Sequence, residues 1–228
     1  MDLSVLVPWR AGDPDREKAW TYLQAYWLAI SSDLIMDIEV VEGHDSGVGP
    51  FNCAQAINDA FRKSTGRYVA IFGADCLPDL RSLEITWHRL TAGQAPWVPM
   101  YNRVDYWDKA GTSAIIDEAY FPDEVSICKP MSVPFQTAYL AMPREHYIEA
   151  GGHDERFVGW GAEDSAFRRS LYLLYGDQES VDLPMRCLHH AGGHRSMSDN
   201  NLKLIREYEQ IDDKDRLKQY LKERGTWV

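Results

Sequence analysis

Three short apolar runs separated by two segments with helical spacing constrain the fold of this chain most strongly. The runs Leu3–Val7, Ile38–Val41 and Tyr68–Phe72 each predict a buried strand. One helix is predicted to begin at Asp13-Pro14, and another to span about Asn52 to Lys63. Strands that alternate with helices form parallel sheets through right-handed crossovers. The sequence therefore predicts an α/β fold with a mostly parallel central sheet flanked by helices.

The remaining residues predict a less regular half without a linker that would separate domains. Trp97 to Pro134 is aromatic and predicted to be loop-rich, and Thr137 to Met142 alternates like a strand. The further predicted elements are a helix over about Leu80–Leu90, a helix over Glu163–Tyr175, a strand over Pro184–His189 and a charged helix or helix pair over Leu202–Arg224. We predict a single domain over 1–228, with a nucleotide-binding half over about 1–79, a second half over about 80–195 and a helical segment over about 198–228.

The charge and composition exclude several classes of protein. The chain has 228 residues and a formal net charge of -11, so its surface repels polyanions at long range. Non-specific binding to nucleic acids or anionic membranes is therefore not expected, and a phosphate-bearing ligand must be bound locally. No apolar stretch or leader suggests a membrane span, and the 4 cysteines lack metal-site spacing. These features predict a cytoplasmic protein with reduced thiols.

Three segments carry residues suited to chemistry. Asp75 follows the third strand, where a parallel sheet presents its ligands, and its carboxylate suits Mg²⁺ or Mn²⁺. Trp160 lies between two glycines and precedes Glu163-Asp164, where one carboxylate could act as a general base. The third segment contains His189-His190, of which an imidazole can ligate Mn²⁺. For each segment a purely structural role, such as helix capping or packing, is the alternative.

Together these segments resemble GT-A fold glycosyltransferases of the family 2 type. The carboxyl-terminal part resembles β-1,4-galactosyltransferases, chondroitin-polymerising enzymes and polypeptide N-acetylgalactosaminyltransferases. The matching stretches are LSVLVPWR from Leu3, FNCAQAIN from Phe51, TGRYVAIFGADCLP from Thr65, GGHDERFVGWGAEDSAF from Gly151 and the His189 region. The resemblance implies a metal-dependent enzyme that moves a sugar from a nucleotide-sugar, in particular a UDP-sugar, to an acceptor hydroxyl.

The resemblance also implies roles for individual residues. It assigns donor binding to Pro8, Arg10, Glu42, Asn52, Asn58, Asp75 and Arg195. It assigns the acceptor to Trp160, Gly161 and Glu163, and a Mn²⁺ or Mg²⁺ cofactor to Asp75 with His189 or else His190. Glu163 and Asp164 are the implied catalytic acids, with Asp164 as the base of an inverting reaction. A retaining outcome stays open, and so does the acceptor, which could be a glycan, a protein or a modified nucleobase.

Two positions depart from the family pattern. Gly73 replaces the first acid of the DxD metal motif, and Ile57 replaces an arginine that many family 2 members carry. These departures leave two alternatives open: a catalytically inactive nucleotide-sugar or carbohydrate-binding protein of the same fold, and a sugar nucleotidyltransferase. The latter would need several basic residues near the first strand, whereas this segment supplies only Arg10.

Overall fold

The structure of the chain is a computed structural model that describes residues 1–118, 127–131, 139–190 and 196–225. In chain order, the strands in these residues are β1 (Leu3–Pro8), β2 (Ile38–Gly43), β3 (Tyr68–Ile71), β4 (Cys76–Leu77), β5 (Val98–Pro99), β6 (Arg103–Trp107), β7 (Ile127–Met131), β8 (Leu140–Pro143) and β9 (Pro184–Cys187). The helices are α1 (Pro14–Ile30), α2 (Cys53–Lys63), α3 (Leu80–Thr91), α4 (Lys109–Glu118), α5 (Arg144–Glu149), α6 (Glu163–Tyr175), α7 (Asp199–Glu209) and α8 (Lys214–Arg224).

The strands form two sheets. The larger has the order β2-β1-β3-β8-β5, in which β1 pairs in parallel with β2 and β3, while β8 is antiparallel to β3 and β5. The smaller has the order β4-β9-β6-β7, in which β9 is antiparallel to β4 and parallel to β6. The predicted α/β fold is confirmed, with β8 as the strand that runs against the other four of the central sheet.

Both faces of the central sheet are covered by apolar side chains. Along the fully buried β1, Leu3, Val5 and Val7 point into a core with α1 and α3, because successive side chains alternate between faces. Leu6 points into a second core with α2, α5 and α6, where Phe61 stacks on Tyr147. A sheet buried on both faces requires continuous apolar strands, which is why the first strands were predictable from the sequence.

The second half is more regular than the sequence indicated. The segment from Trp97 to Pro134, predicted as loop-rich, contains β5, β6, α4 and β7. The predicted strand near Thr137–Met142 is described as Leu140–Pro143, and the predicted terminal helix pair begins at Asp199. Two-residue strands such as β5 have no periodicity, because they are strands only through pairing with distant segments.

At Gly43 the backbones of β2 and α2 lie too close together to admit a side chain. A Cβ atom at Gly43 would overlap the Ala56 carbonyl oxygen and lie 2.5 Å from the Ala60 nitrogen. Gly43→Ala must therefore force β2 and α2 apart, and we expect it to lower the free energy of unfolding by about 3 kcal/mol. At Gly47 a Cβ would meet no atom within 4 Å, so Gly47→Ala should cost only about 1 kcal/mol, from its positive φ. Urea denaturation measures the free energy of unfolding of both variants, and an equal loss of stability in the two would contradict close packing of β2 on α2.

Candidate functional site

The site lies beyond the carboxyl ends of the parallel strands, where α1 and α2 begin. Asp13 caps α1 by accepting from the backbone nitrogens of Asp15 and Arg16, and Asn52 caps α2 by accepting from Gln55. Because β1, β2 and β3 run in the same direction, their ends meet at one edge of the sheet. Ligands of open α/β sheets bind at this edge.

The central feature of the edge is a close contact between the Asp75 carboxylate and the His190 imidazole. The Asp75 carboxylate (Oδ2) lies 3.1 Å from His190 Nε2, and both side chains are largely buried. The backbone brings them together, because β4 and β9 pair with Cys76 opposite Cys187 and the Leu188 nitrogen donates to the Asp75 carbonyl at 2.7 Å. Of the two predicted histidines, His190 therefore contacts Asp75.

His189 has a different environment. Its backbone nitrogen donates to Thr112 Oγ1 at 2.7 Å, which ties the end of β9 to α4. Adjacent residues in extended backbone point in opposite directions. The sequence could not distinguish the two imidazoles, since that choice depends on which one faces β4.

Positive charge balances the buried carboxylate. Burial alone would raise the pKa of Asp75, but the hydrogen bond from His190 and the charges of Arg16 and His190 lower it below its usual value. Arg16 lies in the first turn of α1, and its Nε atom is buried without a hydrogen-bond partner among the described residues. An arginine with unused donors near a carboxylate can bind phosphate oxygens. Sequence reasoning missed Arg16, since it sits among the capping residues of α1.

An uncharged floor lies beneath this pair. Cys76 Sγ lies 2.7 Å from Cys187 Sγ, and the Tyr139 hydroxyl hydrogen-bonds to Cys76. Burial raises the pKa of the Cys76 thiol and of the Tyr139 hydroxyl well above their usual values. Both groups therefore stay neutral near pH 7, which leaves Asp75 as the anionic group at this point.

Gly73 is sterically required beside Asp75. A Cβ atom at Gly73 would lie 2.6 Å from Asp75 Oδ1 and 3.0 Å from the Tyr139 hydroxyl. Any side chain there would push the carboxylate away from His190. The missing first acid of the DxD motif thus reflects a site in which the space is already taken by Asp75.

The two acids Glu163 and Asp164 open α6. Ala162, which precedes them, has a left-handed φ of 77°, so the chain turns sharply into the helix. Burial, followed by the negative charge of Asp164, raises the pKa of Glu163 to about 7. Glu163 Oε2 is buried without a hydrogen-bond partner among the described residues, while Asp164 Oδ1 accepts from the Ser165 nitrogen at 2.7 Å.

The Cys53 thiol, at the start of α2, is affected by the charges of both acids and of Asp75. Burial raises its pKa well above the usual value. The charges of Glu163 and Asp164 raise it further, that of Arg16 lowers it and that of Asp75 raises it. The predicted metal residue and the predicted catalytic acids thus act on the same thiol.

Trp160 and its neighbouring glycines form the outer wall of the cleft. The Trp160 side chain is 52% exposed, and Gly159 and Gly161 have positive φ angles of 75° and 102°. An exposed indole offers a flat face on which a sugar ring can pack. The predicted acceptor residues therefore lie directly before the two acids in space as well as in sequence.

The predicted donor residues reach the same edge but already have partners within the chain. Arg10 forms an ion pair with the buried Asp45 and lies over the Phe51 ring. Glu42 accepts from Trp20 Nε1 at 2.8 Å and from Gln24 Nε2 at 2.6 Å. Pro8 is the last residue of β1.

The two predicted asparagines join α2 to the segment that leads to α6. Asn52 Nδ2 donates to the Glu155 carbonyl at 2.8 Å. The fully buried Asn58 donates to the His153 carbonyl at 2.8 Å and accepts from the Tyr147 hydroxyl. These contacts give both a structural role. Arg195 lies outside the described residues.

The Asp75–His190 pair has suitable chemistry for a divalent cation. A carboxylate oxygen and an imidazole nitrogen are ligands that Mn²⁺ accepts. Their separation of 3.1 Å is close to the roughly 3.0 Å between adjacent ligands of an octahedral cation with bonds of about 2.1 Å. Among the described residues no group of three or more His, Cys, Asp or Glu could hold a metal, so a cation would need further ligands from substrate and water.

Comparisons with known proteins agree with this fold. A protein-family model described as the N-terminal domain of galactosyltransferase matches residues 129–190, which include Trp160 and both acids. No curated protein sequence matches the chain. Within the described residues, no helix is long and apolar enough to cross a membrane.

Solved structures match most of the chain. The catalytic domain of Drosophila beta1,4-galactosyltransferase 7, in complex with xylobiose, is 15% identical with a TM-score of 0.58, over 93% of this chain and 82% of that one. S. aureus TarS in complex with UDP-GlcNAc is 12% identical with a TM-score of 0.60, over 98% and 72% of the two chains. TarS in complex with UDP is 12% identical with a TM-score of 0.61, over 97% and 69%. The family model and these matches confirm the predicted GT-A glycosyltransferase fold.

The raised pKa of Glu163 predicts a pH-dependent stability. Because the folded state binds this proton more tightly than the unfolded chain, the stabilisation is complete below about pH 4.5 and is lost as pH rises through about 7. Glu163→Gln has no proton to lose in this pH range. The free energy of unfolding of the variant should therefore fall less than that of wild type between pH 5 and pH 8, by on the order of 2 kcal/mol. Thermal unfolding of wild type and variant at pH 5 and pH 8 measures the difference. Parallel pH profiles for the two proteins would show that Glu163 is not the group responsible.

Proposed function

We propose that the chain is a metal-dependent glycosyltransferase that moves a sugar from a UDP-sugar to an acceptor hydroxyl with inversion. One observation carries the proposal. The Asp75–His190 contact lies at the sheet edge where α/β folds bind ligands, and the charges of Asp75 and of the two acids that open α6 all act on the Cys53 thiol, which supports one shared site. The fold supports it, since the similar structures include complexes with UDP-GlcNAc and with UDP.

On the donor side, a negatively charged protein must bind a negatively charged ligand. A departing nucleoside diphosphate carries about two to three negative charges, which an acidic protein would repel. Asp75 and His190 would hold Mn²⁺ or Mg²⁺, which would neutralise the charge that develops on the leaving diphosphate. Arg16 adds a positive charge beside Asp75, with buried donor capacity for a phosphate oxygen. Arg195 remains the predicted clamp on the diphosphate.

On the acceptor side the two acids have different tasks. With its pKa near 7, Glu163 is partly protonated at neutral pH and can donate a hydrogen bond to a sugar oxygen. Asp164 then accepts the proton of the attacking hydroxyl as the new bond to the anomeric carbon forms and the bond to UDP breaks. Trp160 supports the acceptor with its exposed ring.

The other predictions complete this proposal. Arg10, Glu42 and Pro8 would line the base end of the donor site, and Asn52 and Asn58 would support it from α2. The acceptor is proposed to be a carbohydrate, since the similar galactosyltransferase was solved with xylobiose. A single domain and a cytoplasmic location remain predictions.

The matched amide substitutions of the two acids test the division of tasks. Asp164→Asn removes the proton acceptor and should lower turnover of UDP-galactose or UDP-GlcNAc with Mn²⁺ by at least about 100-fold. UDP binding, measured by calorimetry, should stay within about twofold of wild type, because Asp164 lies on the acceptor side. Glu163→Gln keeps the neutral form of its side chain, so it should retain activity within about tenfold and lose the pH dependence near 7.

Two outcomes would contradict the proposal at different levels. Undiminished turnover in Asp164→Asn would remove this residue from the role of base. If wild-type protein binds both UDP-sugars with Mn²⁺ yet releases no UDP, the chain is a binding protein that has the fold without the activity.

A further inference from the structure

The amide of Asn201 in α7 contacts the loop that carries Trp160. Asn201 is fully buried, and its Nδ2 atom donates to the carbonyl oxygens of Val158, Trp160 and Gly161 at 3.2, 3.4 and 3.1 Å. Its Oδ1 atom accepts from the Val158 nitrogen at 3.3 Å. One side chain thus contacts backbone groups of Val158, Trp160 and Gly161 within residues 158–161, which we call the Trp160 loop.

Besides Asn201, the Gly159 nitrogen contributes to holding this loop by donating to the Phe51 carbonyl at 3.0 Å. Gly159, Gly161 and Ala162 all have positive φ angles, so the backbone cannot form the regular hydrogen bonds of a helix or strand. A strained backbone of this kind persists only when its surroundings fix it. Buried carbonyl groups without a donor would also be costly. The Asn201 amide is therefore a main constraint on the loop.

The start of α7 is itself fixed against the loop. Ser198 caps α7 by accepting from the Asn201 nitrogen at 3.2 Å. Met197 lies directly over Gly161, where an added Cβ would come within 3.2 Å of its Cε atom. Loop and helix start thus pack as one unit. Residues 197–201 lie outside the 129–190 range that the galactosyltransferase family model matches.

We propose that Asn201 is a positioning residue for the acceptor side of the site, a conclusion that rests on the proposed function. By holding the Trp160 loop it keeps the indole exposed and sets the left-handed turn at Ala162 from which Glu163 and Asp164 enter the cleft. The donor side is fixed separately, through the pairing of β4 with β9. Loss of the amide should therefore disturb acceptor use and leave donor binding intact.

The test compares neighbouring asparagines. Asn201→Ser keeps a small polar group but loses most of the contacts, and Asn201→Asp keeps the shape but loses both N–H donors. Asn200 is exposed and donates only to the Arg156 carbonyl at 3.0 Å among the contacts described for it, so Asn200→Ser is the matched control. The readouts are hydrogen exchange of residues 158–162, UDP release from UDP-galactose or UDP-GlcNAc, and transfer to xylobiose.

We expect exchange in the Trp160 loop to rise about tenfold in Asn201→Ser, with the rest of the chain unchanged. The KM for xylobiose should rise at least about fivefold while the KM for the UDP-sugar stays within about twofold. The alkaline limb of the UDP-release profile, where Glu163 loses its proton, should move to lower pH, because Glu163 becomes more exposed and its pKa falls. Asn200→Ser should match wild type in hydrogen exchange, in both KM values and in the pH profile.

Each other outcome counts against the proposal. A folded Asn201→Ser with wild-type exchange and pH profile overturns it, and so does an equal change in both KM values. If Asn201→Asp does not fold, the milder serine variant still decides. If wild type neither releases UDP nor uses xylobiose, the proposed function fails, whereas unchanged exchange in the loop would show that the positioning claim fails by itself.

Discussion

The contact between Asp75 and His190 is the interaction on which the site depends. Asp75 lies in the short segment between β3 of the central sheet and β4 of the second sheet, and His190 follows β9, the strand that pairs with β4. The strand pairing of Cys76 with Cys187 fixes the backbone on both sides, and the buried neutral Cys76 thiol adds no competing charge. The tight fit at Gly73 leaves one position for the carboxylate. The proposed cation site therefore has two protein ligands, which suits a cation shared with a diphosphate.

The segment around Trp160, on the acceptor side of the proposed site, is held in place in a different way. There Gly159, Gly161 and Ala162 have positive φ angles, and polar side chains from other elements hold the backbone in place. Asn58 fixes the segment before the Trp160 loop from α2, and Asn201 fixes the loop from α7. In the proposed site the donor side is therefore held by sheet pairing and the acceptor side by buried amides. We therefore expect that the two halves of the proposed reaction can be disturbed independently.

The sequence predicted the first half well and the second half only in part. Continuous apolar strands and capped helices are local signals, so β1 to β3, α1 and α2 were found with nearly correct bounds. By contrast, β5 and β6 exist through pairing with segments far along the chain, which no local pattern encodes. His190 could not be separated from His189, and Arg16 was hidden among capping residues. Asn201 had a signal, since it shares the buried face of α7 with Leu204 and Tyr208 at helical spacing.

The most direct measurement is anomalous diffraction at the manganese edge from crystals grown with Mn²⁺ and UDP. We predict a single strong anomalous-difference peak that contacts both the Asp75 carboxylate and His190 Nε2, with the diphosphate between that peak and Arg16. Bound UDP with the Asp75–His190 contact intact and the metal elsewhere would contradict it.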